Sequence, residues 1–323
     1  MMRHYAMNSK YVKESVLQVH SSLPRVAFLG VGLMGFPMAS RLLVAGYPLS
    51  AWNRTRSKAE PLAVKGAHVA DDVVDAIKDN GENAGIIITM LEAGPAVRQV
   101  IQLIAPHLQR GALVIDMSST KQSEAQEFHA MLAEVGVGFI DAPVSGGVIG
   151  AEAGTLAIMA GGSAADFSRA ESVLEHLGRA TLVGPAGCGQ IAKMCNQLIV
   201  GGTLNIIAEA LLLAEAGGAD PAAMRTAIRG GFAESRILEV HGQRMLERNF
   251  MPGGQVKSQA KDMENILDAA AHASLHLPVT RLVTEHYRAI LATAPHADQS
   301  AILLALEQLN PRYRIGDAED KLP

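Results

Sequence analysis

The chain reads as an α/β protein: a Rossmann-type, doubly wound parallel sheet followed by an all-helical C-terminal domain. Three observations predict this. Short apolar runs recur at 26–30, 49–52, 86–90, 112–116 and 137–140, separated by segments with helical spacing, and such alternation builds βαβ units. The first run leads straight into a glycine-rich turn, Gly30-Val31-Gly32-Leu33-Met34-Gly35. From about residue 188 strand signals stop, and Ala- and Leu-rich segments with helical spacing fill the remainder.

Taken in order, the run 26–30 is an apolar strand, Met34–Val44 the helix after its turn, and Leu49–Trp52 a second strand. Pro95–His107 and Glu124–Val135 have helical spacing between the later strands. Thr155–Ala160 and Ala180–Val183 are expected to extend the same sheet. The segment Gly184-Pro-Ala-Gly-Cys-Gly189 is rich in turn residues and makes a natural joint. Helices are expected at 188–216, 221–230, 236–247, 258–275, 278–293 and 298–308. The stretch 190–216 is so apolar that it is expected to be buried nearly all round, as a spine between domains or subunits. Gly201, Gly202, Asn205 and Glu209 interrupt its apolar run, which suits a core helix better than a membrane span. Residues 1–23 are polar and irregular and lack the apolar core of a secretory signal, so they are expected to be a disordered extension or leader. The expected domains are therefore 24–187 and 188–312, with 313–323 as a tail.

At 323 residues and 49% hydrophobic content, the chain can bury a core large enough for two domains. A net charge of −4 argues against nucleic acid or an anionic membrane as partner. Two cysteines, Cys188 and Cys195, are too few for a disulfide framework, and both are expected to be buried thiols in a reducing cytoplasm. The eleven histidines show no HxxxH or HExxH spacing, so no metal site is expected.

The glycines of the first turn have separate physical tasks. Gly30 permits a tight turn, Gly32 lets backbone approach a pyrophosphate, and Gly35 lets the following helix pack closely on the sheet. That helix would aim its first amides at the phosphates, where its partial positive charge favours anions. With an apolar strand before it and a periodic helix after it, the turn points to a dinucleotide site formed by Gly30, Val31, Gly32, Leu33, Met34 and Gly35. The residues ending the second strand select the dinucleotide. An acidic side chain there would bind a ribose diol, but this chain has Asn53-Arg54-Thr55. With no carboxylate to repel a 2′-phosphate and a guanidinium to pair with it, NADP(H) is expected over NAD(H). A plain basic surface turn is the alternative.

A second glycine cluster, Asp141-Ala-Pro-Val-Ser-Gly-Gly147, follows the strand 137–140. Ligands of such sheets bind outside the carboxyl ends of the strands, so Ser145 with the amides of Gly146 and Gly147 is placed to hold a carboxylate, unless the glycines only serve a turn. Lys193 is the most telling single residue, because a lysine on an apolar helix is costly unless paired or functional. Asn196 and Gln197 lie three and four residues on, hence on the same helical face. Such a lysine can act as a general acid toward a carbonyl oxygen, or it can snorkel to solvent. Lys261-Asp262, taken alone, reads as a solvated surface pair.

Four segments, FLGVGLMGFPMA, DAPVSGG, GQIAKMCNQ and a late KDM, together resemble the β-hydroxyacid dehydrogenase family, and the resemblance spans about residues 25–310. It implies an oxidoreductase that moves a hydride between a nicotinamide and the carbon β to a carboxylate. It further implies that Lys193 is the catalytic lysine, that Ser145, Gly146 and Gly147 bind the substrate carboxylate, and that Lys261 lines the nicotinamide and substrate site. Met90, Leu91 and Ser119 match positions touching the cofactor, and Ser119, Asn196 and Gln197 are expected near the substrate. AIRGGFAESRIL and KMCNQ resemble the branch that reduces tartronate semialdehyde more than the 3-hydroxyisobutyrate dehydrogenases, many of which read Asn-Asn in place of Asn196-Gln197. One departure is MPGG at 251–254, where members usually carry an aromatic at the position of Gly254. A short hydroxy or oxo acid is thus the expected small-molecule partner, and a homodimer or homotetramer the expected assembly. The nearest competing expectation is a dehydrogenase of 3-hydroxyisobutyrate, serine, threonine or another β-hydroxy acid using the same residues; the distant one, a cofactor-binding module without turnover, is opposed by the retained Lys193, Asn196 and Ser-Gly-Gly loop.

Overall fold

The computed structural model describes residues 23–78 and 84–323. The extension expected over 1–23 lies, apart from Leu23, outside the described residues. In chain order the strands are β1 (Val26–Leu29), β2 (Leu49–Trp52), β3 (His68–Val69), β4 (Ile86–Thr89), β5 (Leu113–Asp116), β6 (Gly138–Asp141), β7 (Val144–Ser145), β8 (Leu156–Gly162) and β9 (Gly178–Gly184). Strand β1 shows why they form. Its four apolar residues are fully buried and alternate between faces, Val26 and Phe28 entering one core layer and Ala27 and Leu29 the other. Ile86 and Ile88 of β4 and Leu113 and Ile115 of β5 join the first layer, while Ile87 and Val114 join the second. A sheet buried on both faces requires continuous apolar runs, and the sequence has them.

Among the described residues the strands form one mixed sheet in the order β3-β2-β1-β4-β5-β6-β8, with β7 and β9 both pairing to β8. From β3 to β6 every pairing is parallel. Both later runs extend the same sheet, as expected, but not all in parallel: β8 is antiparallel to β6 and β7 and parallel to β9. The reason is the connection. Between β6 and β8 the chain makes only β7 and the short helix α5 (Gly147–Ala153), which packs on α1 (Gly35–Val44). That is too little to cross over the sheet, so the chain returns antiparallel.

The remaining helices of the first half are α2 (Val73–Ile77), α3 (Gly94–Ile104), α4 (Gln122–Glu134) and α6 (Ala164–Leu174). The second half contains α7 (Cys188–Ala216), α8 (Pro221–Ala227), α9 (Arg236–Leu246), α10 (Val256–His272), α11 (Pro278–Leu291) and α12 (Ile302–Leu309) around a separate apolar core. Helix α8 stops short of the expected residue 230, where Gly230 takes a left-handed φ of 79°. The expected helix 298–308 begins as a 3₁₀ turn, Gln299–Ala301, capped by Asp298.

Helix α7 is the spine, touching β8 and β9 of the sheet and α8 to α12 of the helical half. It is long and apolar enough to cross a membrane by length and composition, yet it is built into the protein along its length and carries Lys193, Glu209 and Glu215. The expectation of burial nearly all round does not hold within one chain. Ile199, Ile206 and Leu213, spaced seven apart, are 61%, 62% and 74% exposed, because seven residues are two turns and these side chains share the face turned from both cores. Cys195, on the same face, is exposed and Cys188 half-buried, not the buried thiols expected, and neither is in a disulfide. The chain end is pinned to the helical half: buried Arg248 grips Glu307 with two bonds of 2.8 and 2.9 Å and also pairs with Asp320.

Candidate active site

The glycine-rich turn sits where β1 hands over to α1. Gly30 has a φ of 110°, and a Cβ there would fall 2.3 Å from the Met90 carbonyl oxygen. A Cβ on Gly35 would fall 2.0 Å from the Gly30 carbonyl oxygen. Gly32 differs, with no atom within 4 Å of a Cβ position, so its face of the turn is open. Two glycines are thus required by the protein's own packing and the third leaves a cradle. The first turn of α1 carries no acidic side chain, so the positive end of the helix is uncontested. These features fit a dinucleotide pyrophosphate.

Asn53 stands at the end of β2, as expected, and its Oδ1 accepts from the Val31 amide at 3.0 Å while its Nδ2 donates to the Thr55 carbonyl at 2.9 Å. It ties the second strand to the glycine turn. Arg54 and Thr55 are exposed beside it. Arg56 is engaged with Asp71 at 2.5 Å, whereas Arg54 has no partner among the described residues and is free to meet an anion. Leu33 is exposed and Met34 half-buried at the lip of the turn. Across from it, Met90 and Leu91 crowd Gly30, and the Leu91 amide donates to Ser118 Oγ at 2.9 Å.

Beneath this edge runs a polar row that the sequence reading missed. Thr89, Asp116 and Asp141 end three neighbouring strands in register, and all three are fully buried. Thr89 Oγ1 donates to Asp116 Oδ1 at 2.8 Å, which also accepts from the Ser118 amide at 3.1 Å. Both oxygens of Asp141 accept backbone amides at the start of α7, from Gly187 at 2.7 Å and Gln190 at 2.9 Å. Burial pushes both carboxyls up from the usual range, and Asp116 raises Asp141 further. Asp116 Oδ2 has no hydrogen-bond partner among the described residues. A signal was present in the sequence: the apolar runs IIIT, LVID and GFID each end in a polar residue.

Lys193 lies one turn further along α7, half-buried. Its Nζ donates to the Val144 carbonyl at 2.8 Å and to Gln197 Oε1 at 3.1 Å. Burial holds its pKa below the ordinary lysine value, Asp262 opposing the shift and Lys261 adding to it. Gln197 passes the network on, donating to Gln259 Oε1 at 2.8 Å and to Asp262 Oδ2 at 3.0 Å. Asn196 Nδ2 donates to Gln197 Oε1 at 2.8 Å. Lys261 pairs with Asp262 at 3.4 Å and donates to the Ser119 carbonyl at 3.3 Å. Residue by residue, Lys261-Asp262 looked like a solvated pair. The structure corrects this, because Asp262 is buried against α7 where the surrounding amides and ammonium groups satisfy it.

Lys193, Asn196, Gln197, Lys261 and Ser119 are therefore brought into one network. Ser145, Gly146 and Gly147 adjoin it through Val144, whose carbonyl holds Lys193. Gly146 has a φ of 139° and Gly147 of 63°, the second opening α5, so the peptide amides there face outward from a helix start. Asp262, Gln259 and Gln190 were not foreseen. Their signal is only that polar side chains recur on helices packed face to face. At the departure noted in sequence, Gly253 and Gly254 both donate their amides to Asp298 Oδ2 at 3.1 Å, and a Cβ on Gly254 would meet Gln299 at 3.3 Å. Among the described residues no three His, Cys, Asp or Glu side chains are grouped to hold a metal ion.

A sheet edge offering a dinucleotide cradle, a polar loop and a half-buried lysine between two domains defines a nicotinamide-dependent oxidoreductase. Comparison with known proteins agrees. Residues 25–231 match the family described as the NAD binding domain of 6-phosphogluconate dehydrogenase, and residues 187–306 the one described as NAD-binding of NADP-dependent 3-hydroxyisobutyrate dehydrogenase. The chain is 38% identical over 288 residues to 2-hydroxy-3-oxopropionate reductase of Escherichia coli (strain K12), covering 88% of this chain and 97% of that one. A solved 3-hydroxyisobutyrate dehydrogenase of Mycobacterium tuberculosis with L-serine superposes with a TM-score of 0.80 at 30% identity, covering 88% and 99%. A structure of Psf3 with NADP+ and 2-OPP gives 0.77 at 26% identity, covering 87% and 99%. The chain belongs to the β-hydroxyacid dehydrogenase family and is an NAD(P)-binding oxidoreductase acting on a CH–OH group.

Proposed function

We propose that this protein is an NADP(H)-linked reductase that converts tartronate semialdehyde (2-hydroxy-3-oxopropionate) to glycerate. The observation that carries the reading is Lys193, a half-buried ammonium held by Val144 O and Gln197 Oε1 immediately beside the Ser145–Gly147 loop. A bound reduced nicotinamide supplies a hydride to the aldehyde carbon. Lys193 gives a proton from Nζ to the carbonyl oxygen as negative charge develops there, and water restores it. In the oxidative direction its neutral amine takes that proton, a form that its lowered pKa favours. Ser145 with the Gly146 and Gly147 amides holds the substrate carboxylate, Asn196 and Gln197 orient Lys193 and the substrate, and Lys261, bonded to the Ser119 carbonyl, would line the nicotinamide and substrate site. Gly30 to Gly35 hold the pyrophosphate, with Met90, Leu91 and Ser119 along the cofactor, and Arg54 beside Asn53 and Thr55 pairs with the 2′-phosphate.

The similarity to the Escherichia coli reductase supports the substrate, and the NADP+ in the Psf3 structure supports the cofactor. A second reading, oxidation of 3-hydroxyisobutyrate or serine, is supported by the L-serine in the Mycobacterium tuberculosis structure. We further propose a homodimer or homotetramer, supported by the exposed apolar stripe on α7, and a domain boundary near 187/188, where α7 begins. The test is NADPH consumption with a panel of semialdehydes run beside NADP+ reduction with β-hydroxy acids. Tartronate semialdehyde should give the highest kcat/KM, and a higher value for 3-hydroxyisobutyrate or serine would select the second reading.

A further inference from the structure

The segment 141–144 holds two successive turns of α7 at once. The Asp141 carboxylate takes the Gly187 and Gln190 amides, and three residues later the Val144 carbonyl takes Lys193 Nζ. The next residues of that segment are Ser145, Gly146 and Gly147. We propose that Asp141 is a positioning residue for the reaction: by gripping the first turn of α7 it sets where the Lys193 ammonium stands relative to the Ser145–Gly147 loop. This rests on the reading of Lys193 as proton donor.

The surroundings of Asp141 are shaped for this grip. A Cβ on Gly189 would fall 2.4 Å from both the Asp141 and Met159 carbonyl oxygens, and one on Gly161 would fall 2.6 Å from Asp141 Oδ1. Only glycine at both places lets the helix come down onto the carboxylate. Gln190 then fixes the rotation of α7, its Nε2 donating to the Ser118 carbonyl at 2.9 Å and its Oε1 accepting from the Thr120 amide at 3.0 Å. Those two residues flank Ser119, so the grip also sets α7 against the loop that takes Lys261. A carboxylate suits the task because two amides approach two different oxygens. Asparagine would offer one acceptor and turn its own N–H groups toward the other amide, donor against donor. A misplacement of about 1 Å at a reacting group can cost about 10²-fold in rate, so a small shift of the first turn of α7 matters one turn later at Lys193.

The test is a double-mutant cycle of Asp141→Asn and Lys193→Ala, read as kcat in single-turnover assays, with KM for NADPH measured alongside. Asp141→Asn should lower kcat about 10–100-fold and leave KM for NADPH within about twofold, since the glycine turn at β1 is untouched. In the Lys193→Ala background the same change should cost less than about threefold, because the group being positioned is gone. Equal losses in both backgrounds, or near-normal kcat in Asp141→Asn, would overturn the proposal. Near-normal turnover in Lys193→Ala alone would instead overturn the reading beneath it. Should Asp141→Asn not fold, Gly189→Ala displaces the same turn without changing a charge, and the same cycle with Lys193→Ala should show the same loss of additivity.

Discussion

Replacing Lys193 by alanine should abolish chemistry while sparing the fold. The ammonium makes two hydrogen bonds, to Val144 O and Gln197 Oε1. After the change Gln197 Oε1 keeps a donor in Asn196 Nδ2, so only the Val144 carbonyl is left short. An unsatisfied buried acceptor costs about 1–3 kcal/mol, and release of a half-buried charge from its desolvation offsets part of that. At about 2–4 °C per kcal/mol for a protein of this size class, the melting temperature should fall by less than about 5 °C. Loss of a general acid lowers kcat by about 10²–10⁴-fold, and the NADPH Kd should stay within about twofold because the glycine turn lies at another strand end. Lys193→Arg should recover little, since a guanidinium stays protonated and cannot serve as base in oxidation. The assays are steady-state kcat, NADPH titration and thermal unfolding of each variant. Near-normal turnover in Lys193→Ala would refute the reasoning, and a collapsed fold with no other cause of inactivity would assign the lysine a structural role.

Other expectations follow from the same geometry. Because burial holds the Lys193 pKa down, reductive kcat should fall as pH rises through a value below the ordinary lysine value, and oxidative kcat should rise over the same range; profiles with matching slopes would contradict this. Arg54→Ala should narrow the preference for NADPH over NADH by about 10–100-fold in kcat/KM, as loss of a charge-assisted contact of about 1.5–3 kcal/mol implies; an unchanged ratio, or a wild type using both equally, would remove Arg54 from the site. Gly146→Val, whose Cβ would lie 3.1 Å from Leu156 Cδ2 on a backbone of φ 139°, should raise KM for the acid substrate, and the methyl ester should turn over poorly. An ester as good as the acid would exclude carboxylate recognition there. Asp116 and Asp141 have raised pKa values in the fold, so the stability they contribute is present at low pH and lost as pH rises through those values. Asp116→Asn should therefore flatten the change of melting temperature between about pH 4 and about pH 6, the interval from the ordinary carboxylate value to its own, and an unaltered slope would show that Asp116 does not titrate there.

The parts of the site that recur in regular patterns were legible in the sequence. Gly30 and Gly35 were legible as packing glycines because backbone constraints act locally, and in the structure a Cβ at either would clash with main chain. The parallel half of the sheet was equally legible, since strands covered on both faces must be continuously apolar. What escaped depends on partners distant in the chain. Lys261-Asp262 looks like any surface pair until α10 is laid against α7 and Gln197 is found donating to Asp262. Asp116 and Asp141 look like the ends of strands until register sets them side by side under the start of α7. The reversal of β8 was hidden for a related reason: strand direction depends on whether the connection can cross the sheet, and nothing in the run Thr155–Ala160 encodes that. The exposed face of α7 marks the limit of periodicity, because an apolar residue reads alike whether it meets its own chain or another surface.

The central claim is that hydride goes to the carbon β to a carboxylate. It is tested most directly by reducing the substrate with NADPH deuterated at the transferable position and locating the label in the glycerate by mass spectrometry or NMR. Tartronate semialdehyde exchanges through an enediol with its isomer hydroxypyruvate, in which the carbonyl is α to the carboxylate, so the labelled carbon identifies which of the two is reduced. One deuterium at C3, with Lys193→Ala forming labelled product only at the slower rate, is the result the account predicts. Deuterium at C2, or glycerate without label, would contradict it.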